Sequence, residues 1–425
     1  MTDINVFIFR RDLRIEDNLA LNALIKENQR ILPIFIFNPK QIYAKNNEYF
    51  SNNCVQFMIE SLKFLEKRIH INYFEDEDDT NVLKYIQKHY NIKTIAFNKD
   101  YTPFAIKRDA KISAWCNQNS INIITEEDYT LFKMGTIKNN SGNPYQIFTP
   151  FYKNAIQLRV KKPSYAVLNK VHFIKFIERF DKDKYYITNN EIAVHGGRES
   201  ALLRLKNTYK SYSKTRDYPA LDSTTKLSAY IKFGCVSIRE AYYSFHKNKA
   251  LQRELIWREF YANILFYFPQ VLGQSFRKKY DNIKWSNNKE WFAKWCMGKT
   301  GFPLVDAGMQ QLNKTGWMHN RVRMIVAMFL TKDLLIDWRW GEKYFATKLV
   351  DYDPSSNNGG WQWSASTGTD SQPYFRIFSP ELQIKKYDKN YEYITKWNPD
   401  FNNIKPIIDH KERAKIAIST FKKIH

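Results

Sequence analysis

Asn357-Asn358-Gly359-Gly360-Trp361-Gln362-Trp363-Ser364-Ala365-Ser366-Thr367-Gly368-Thr369-Asp370 sets two glycines and two tryptophans among small hydroxyl and amide residues. Glycine lets a backbone come close to a neighbour or a ligand. A packed core rarely surrounds two indoles with so many polar groups, whereas a site for a large flat aromatic ligand does. Asp351 and Asp353 add carboxylates just upstream. Around this stretch the chain reads as helix. Apolar residues recur with a helical period over 199–212, 238–247, 251–267, 305–312 and 317–335, and strand-like alternation is nearly absent. The part from Gly196 onward is therefore expected to be all-helical.

The first part of the chain follows a different rule. Short apolar runs at 5–9, 31–37, 71–74, 94–97 and 121–125 read as buried strands, with helical patterns at 55–69 and 103–116 between them. Strands separated by helices build βαβ units and hence a parallel sheet covered on both faces. Phosphate-binding glycine patterns are absent there, which argues against an ordinary dinucleotide site. The acidic run 75–79 reads as a solvated loop. Residues 130–195 hold Gly135, Asn139, Asn140, Gly142, Pro144, Pro150 and Pro163, the composition of a long connection with a few short helices.

Charge is distributed unevenly. Residues 1–150 carry 19 Lys/Arg against 18 Asp/Glu, and residues 151–425 carry 47 against 25, so nearly all of the net +23 lies in the second part. A generally basic composition does not explain that asymmetry, and a polyanionic partner, most simply nucleic acid, does. Cys54, Cys116, Cys235 and Cys296 have no metal-ligand spacing and read as reduced thiols of an intracellular protein. The start of the chain does not read as a signal peptide, and no apolar run is long enough to cross a membrane.

Ten of the eleven tryptophans lie at or beyond position 257. Some of them, Trp295 and Trp397 included, read as core. Glu254 and Trp257 are three apart and share a helix face, and Asn320 and Met324 are four apart and share another. A carboxylate, an indole, an amide and a thioether facing one cavity suit an aromatic heterocycle with imide edges: the indole stacks, the polar groups hydrogen-bond, and the thioether fills space.

These segments, taken together, resemble the photolyase/cryptochrome family, and within it the photolyases that act on cyclobutane pyrimidine dimers. The resemblance is carried by Arg11-Asp12-Leu13-Arg14 with Asp17-Asn18, by Gly142 to Tyr145 with Phe148-Thr149-Pro150, and by Thr224 to Ser228. It continues through Trp257-Arg258-Glu259-Phe260, Gly298 to Pro303, Gly316 to Arg323 and Asp351 to Asp370, collinear over nearly the whole chain. It implies a Rossmann-like α/β antenna-type domain over 1–130, an interdomain connector over 131–195 and a helical FAD- and DNA-binding domain over 196–425.

The resemblance also implies residue roles. Tyr212, Thr224, Thr225, Leu227 and Ser228 would hold the FAD phosphates and ribose. Asn320 also counts among the cofactor contacts. Arg323 would pair with Asp351, Asp353 would bond the isoalloxazine edge, and Asn357 would face flavin N5. The family usually has Arg where this chain has Lys226, which keeps the charge and loses the bidentate fork. Trp361, Trp338 and Trp285 take the positions of an electron-transfer chain. Trp257 and Trp363 would sandwich a flipped-out lesion, with Glu254 and Asn320 hydrogen-bonding it, Met324 against the bases, and Arg216 and Arg321 on the flanking DNA backbone. Photolyases are a standing example of base flipping. A second, antenna chromophore belongs to the same resemblance, but its identity is unknown and no residue is assigned to it, because Thr102 stands where folate-binding members carry glutamate.

Three other readings fit less well. A signalling cryptochrome binds the same FAD, yet plant-type photoreceptors carry Asp where this chain has Asn357. Enzymes for six-four photoproducts place a histidine pair where this chain reads His319-Asn320. A basic DNA-binding protein without catalysis leaves the FAD-like motifs unexplained. The expected protein is thus a light-driven carbon-carbon lyase on UV-damaged DNA, monomeric and free of metal.

Overall fold

Strand β1 (Asp3–Phe9) alternates two buried faces, Ile4, Val6 and Ile8 on one and Phe7 and Phe9 on the other. Such a strand must lie inside a sheet covered on both sides. The computed structural model describes residues 1–27, 30–207 and 209–424. β2 (Arg30–Phe37), β3 (Asn72–Glu75), β4 (Asn91–Asn98) and β5 (Asn122–Glu126) complete a parallel sheet in the order β3-β2-β1-β4-β5. The five expected strands are all present. A sixth, β6 (His172–Phe173), pairs with Arg30 and Ile31 of β2 and was not anticipated, because a two-residue strand carries no period of its own.

Helices α1 (Leu19–Glu27) and α2 (Asn52–Glu66) contribute to the core on one face of the sheet, and α3 (Asp79–Gln87) and α4 (Pro103–Gln118) to that on the other. The acidic run 75–79 is only partly a solvated loop. Asp79 is buried in the first turn of α3, 3.6 Å from the Arg10 guanidinium, and Glu75 accepts hydrogen bonds from Tyr43 and Tyr185. Their partners are distant in sequence, so a local reading misses them.

The remainder is helical: among the described residues no strand follows β6. The elements that matter below are α5 (Phe148–Ala155), α6 (Lys249–Tyr267), α7 (Asn320–Met328), α8 (Trp338–Lys348) and α9 (Pro354–Ala365). Three expected helices are shorter than their periodicity, the one over 238–247 ending at Ser244. The pattern over 199–212 gives a helix only at Arg198–Lys206, then a separate turn at Tyr212–Thr215, with position 208 outside the described residues. The pattern over 317–335 starts three residues late. Gly316 takes a left-handed C-cap and His319 caps α7, its Nδ1 accepting from the Arg321 amide at 3.1 Å.

One face of the sheet shares its core with the helices. Phe57 of α2 packs against Tyr230 and Phe233, with ring centroids 5.0 and 5.5 Å away. Beside this seam, buried ion pairs join Arg14 to Asp128 and Arg239 to both Asp17 and Asp128, at 2.6–2.9 Å. Gly234 (φ +65°) passes so close to the Arg11 carbonyl that a Cβ there would lie 2.5 Å from it. The Arg-Asp-Leu-Arg motif near the start is thus a clamp between sheet and helices. No helix of the described residues is long and apolar enough to cross a membrane.

Candidate active site

A cavity of about 590 Å³ opens among the helices, within the size range of cofactor sites. α6 presents Glu254, Trp257, Arg258 and Tyr261 to it, a spacing that keeps all four on one face. α7 presents Asn320, Arg321, Arg323 and Met324, and α9 presents Ser356, Asn357, Gly360, Trp361, Trp363 and Ser364. Tyr212, Arg216, Thr224, Thr225, Leu227 and Ser228 close another side, with Asp351 and Asp353 in the same lining.

Every expected cofactor and lesion residue therefore meets in one cavity. Trp338 and Trp285 lie away from it. Trp338 is the first residue of α8 and fully buried; Trp361 packs its ring edge on Gly341 of the same helix, where a Cβ would come within 2.1 Å of the indole. Trp285 is half-buried, and its neighbour Ser286 is hydrogen-bonded to Leu334 and Leu335 shortly before Trp338. Trp295 is core, as expected, and Trp397 is half-buried against it. The Trp295 ring also stands edge-on to Trp361 at 6.0 Å.

The charged groups are held in place. Asp351 accepts from Arg323 at 2.9 and 3.2 Å and from Ser228 at 2.6 Å. Asp353 caps α9 by accepting from Ser355 and the Ser356 amide, and its other oxygen meets Arg11 at 2.7 Å. Although burial opposes the charge, Arg11 and Arg258 hold the Asp353 carboxyl far below the usual range. Asn357 donates its amide to the Glu342 carbonyl at 3.1 Å, which fixes the side chain and leaves its oxygen free to accept.

Two adjacent glycines in α9 behave oppositely. A Cβ on Gly359 would lie 2.2 Å from the Tyr261 ring, so this glycine allows α6 and α9 to touch. Gly360 has nothing within 4 Å and leaves open space on the cavity side.

Sequence reasoning missed the support of Trp257. Phe148 of α5 stacks on it, centroids 3.5 Å apart and planes 8° apart. The Phe148 amide donates to Asp370, so the end of the glycine-tryptophan segment fixes the stack. In the sequence Phe148 stands out only as part of the Phe148-Thr149-Pro150 motif. Lys226 faces away from the cavity lining: it pairs with Asp222 at 2.7 Å and lies over the Trp317 ring. Arg216 and Arg321, expected on DNA, are already paired in this structure, with Glu254 and with Asp217 respectively.

The donor set fits a large, polar, aromatic cofactor. Among the described residues Arg258 Nη2, Arg321 Nε and Trp361 Nε1 are buried without a hydrogen-bond acceptor, all three on residues of the cavity lining, and such groups call for a partner.

Comparison with known proteins agrees with that donor set. The family model for the FAD binding domain of DNA photolyase matches residues 251–423, and the model for DNA photolyase matches residues 5–166. A deoxyribodipyrimidine photo-lyase of Alkalihalophilus pseudofirmus is 35% identical, covering 97% of each chain. The enzyme of that name from Escherichia coli is 34% identical over 95% of this chain and 90% of its own. The crystal structure of an archaeal photolyase from Sulfolobus tokodaii, containing two FAD molecules, superposes with a TM-score of 0.90 at 38% identity, covering 99% of this chain and 100% of that one. Similarity that runs through both the sheet and the helices lining the cavity makes this chain a member of the DNA photolyase family.

Proposed function

We infer that the protein is a deoxyribodipyrimidine photo-lyase that binds FAD in the helical cavity and repairs cyclobutane pyrimidine dimers in DNA with light. The observation that carries this reading is the convergence of both expected residue sets on one cavity. Reduced FAD, when bound and excited, supplies the electron that opens the cyclobutane ring and takes it back; the protein supplies position, dryness and electrostatics.

Tyr212, Thr224, Thr225, Leu227 and Ser228 would hold the phosphates and ribose of the cofactor. The Arg323–Asp351–Ser228 cluster would form the floor of the cofactor site, and Asp353 would accept a hydrogen bond from the cofactor's ring system. Asn357, its side chain held by the bond to the Glu342 carbonyl, would offer the flavin an acceptor oxygen that carries no charge. On the substrate side Trp257 and Trp363 enclose the flipped lesion. Glu254 and Asn320 hydrogen-bond its imide edges, and Met324 fills the remaining contact. Burial raises the Glu254 pKa, which suits a carboxyl that shares a proton with a developing anion. Arg216 and Arg321 take the flanking phosphates.

Trp361, Trp338 and Trp285 serve as an electron path from cavity to surface. Its support is packing: Trp361 seats on the helix that Trp338 begins, and Trp285 lies two residues before Asn287, which accepts from the amide of Asp337, the cap of that helix. The enzyme works as a single chain, since the cavity needs no second copy, and inside the cell, where its four unpaired cysteines stay reduced. The division of labour follows residues 1–130, 131–195 and 196–425, with the connector lending Phe148 to the site.

The deciding experiment is illumination of the reduced, FAD-loaded protein with an oligonucleotide carrying one thymine dimer. Restoration of unlinked thymines is expected. Tight dark binding without restoration would favour a photoreceptor instead.

A further inference from the structure

Arg216 and Glu254 have separate tasks in the reading above, one on the DNA backbone and one on the lesion, yet in this structure each holds the other in an ion pair. The next residue repeats the arrangement. Asp217 pairs with Arg321 Nη2 at 2.8 Å, and the Arg321 guanidinium lies 4.5 Å over the Tyr387 ring, which Tyr218 meets edge-on at 6.2 Å. All four charged residues line the cavity. Residues 216–218, directly after the turn Tyr212–Thr215, therefore form a strap fastened on one side to α6 and on the other to α7.

This arrangement neutralises both arginines before any DNA arrives. An intact duplex keeps its bases stacked, sends nothing into the cavity, and meets guanidinium groups already occupied by carboxylates. A flipped pyrimidine dimer brings imide N–H donors, which a carboxylate accepts in place of a guanidinium. Arg216 is then free for phosphate, and the DNA backbone it draws to the rim competes with Asp217 for Arg321, so both guanidinium groups gain a phosphate. The pairs are partly solvent-exposed, between 16 and 39% by side chain, so exchanging them costs little.

Resting on the lesion-site reading above, we propose that Arg216–Glu254 and Asp217–Arg321 form an exchange latch that reserves the rim arginines for damaged DNA, with Asp217 as a positioning residue that sets specificity. Asp217 keeps Arg321 aimed and occupied, and its own charge repels phosphate from the closed rim.

The test is dark binding of the FAD-loaded protein to a labelled duplex with one thymine dimer and to the same duplex undamaged, over a series of salt concentrations. In the parent protein the logarithmic salt slope should be steeper for the damaged duplex by about 1.8, two phosphate contacts at about 0.9 each. Asp217→Asn should tighten undamaged binding about threefold or more and steepen its slope by about 0.9, so that discrimination narrows. Glu254→Gln, which releases Arg216, should steepen the undamaged slope in the same way, and Asp217→Glu should restore the parent behaviour. If Asp217→Asn leaves slope and discrimination unchanged, or weakens both duplexes without changing a slope, the latch is wrong. A parent protein that discriminates strongly beside such an inert variant overturns the latch alone. A parent protein with no preference for the dimer overturns the lesion-site reading and the latch together.

Discussion

Trp257 lies face to face with Phe148, with ring centroids 3.5 Å apart and planes 8° apart. Tyr261 also stacks on Trp257, at 5.6 Å and 30°, so the indole is held in place by protein rings while it lines the cavity. Phe148→Leu keeps an apolar side chain in place and removes the stack, which is worth about 0.5–1.5 kcal/mol. The denaturant midpoint should fall by a corresponding amount. Dark affinity for dimer-containing DNA should fall while the FAD content stays constant. Unchanged lesion affinity would mean that Trp257 does not depend on the stack for its position.

Gly359 and Gly360 should respond in opposite ways. Alanine is a better helix former than glycine by about 0.8–1.0 kcal/mol, so Gly360→Ala, with open space at its Cβ, should raise thermal stability of the flavin-free protein. Gly360→Leu should fold as well and retain less FAD per chain, because the side chain takes cavity volume. Gly359→Ala should be destabilising, since its Cβ would lie 2.2 Å from the Tyr261 ring and force α6 and α9 apart. Melting curves and flavin absorbance of the three variants decide it, and equal behaviour of the two alanine variants would refute the assignment.

Trp361 and Trp363 are two residues apart and should separate cleanly. Trp361 is buried against Gly341 and Phe345; Trp363 is half-buried on the cavity lining. Trp361→Phe preserves an aromatic ring in the packing and removes the easily oxidised indole. Light-driven reduction of bound FAD should slow steeply while dark lesion binding is unchanged. Trp363→Ala should leave photoreduction intact and cost about 1–3 kcal/mol of lesion binding, with undamaged DNA little affected. Loss of both properties in either variant would mean that the two residues share a role.

Much of this was legible in the chain, and the exceptions have a common cause. The central strands β1, β2 and β4 announced themselves because burial on both faces produces apolar runs, whereas the edge strand β5 is only half-buried. Glu254 with Trp257, and Asn320 with Met324, could be placed on shared faces because helical spacing is local information. The Phe148 stack joins residues 109 apart in sequence, and the Arg11–Asp353 pair joins residues 342 apart. No periodicity reports on such contacts. The pairing of Arg216 with Glu254 was hidden for another reason: resemblance assigns each residue its task with substrate bound and says nothing of what it does beforehand.

His319 gives a pH test at the base of α7. It is buried and caps the helix, and desolvation lowers its pKa to about 4, with Asp217 opposing that shift. The folded state therefore keeps this imidazole neutral where the unfolded chain, with an ordinary value near 6.5, takes up a proton. The unfolded state binds more protons between those two values, so stability rises with pH across that window and is lost as pH falls from about 6.5 to 4. At about 1.36 kcal/mol per unit the loss approaches roughly 3 kcal/mol. His319→Asn retains a capping side chain that does not titrate. The difference in unfolding free energy between the parent and this variant should accordingly be constant above pH 7 and should swing in favour of the variant below pH 6. A flat difference down to pH 4 would show that His319 titrates alike in both states. A neutral imidazole beside Asn320 also cannot serve as a proton donor at physiological pH, which fits a site built for cyclobutane dimers better than one that needs a histidine acid.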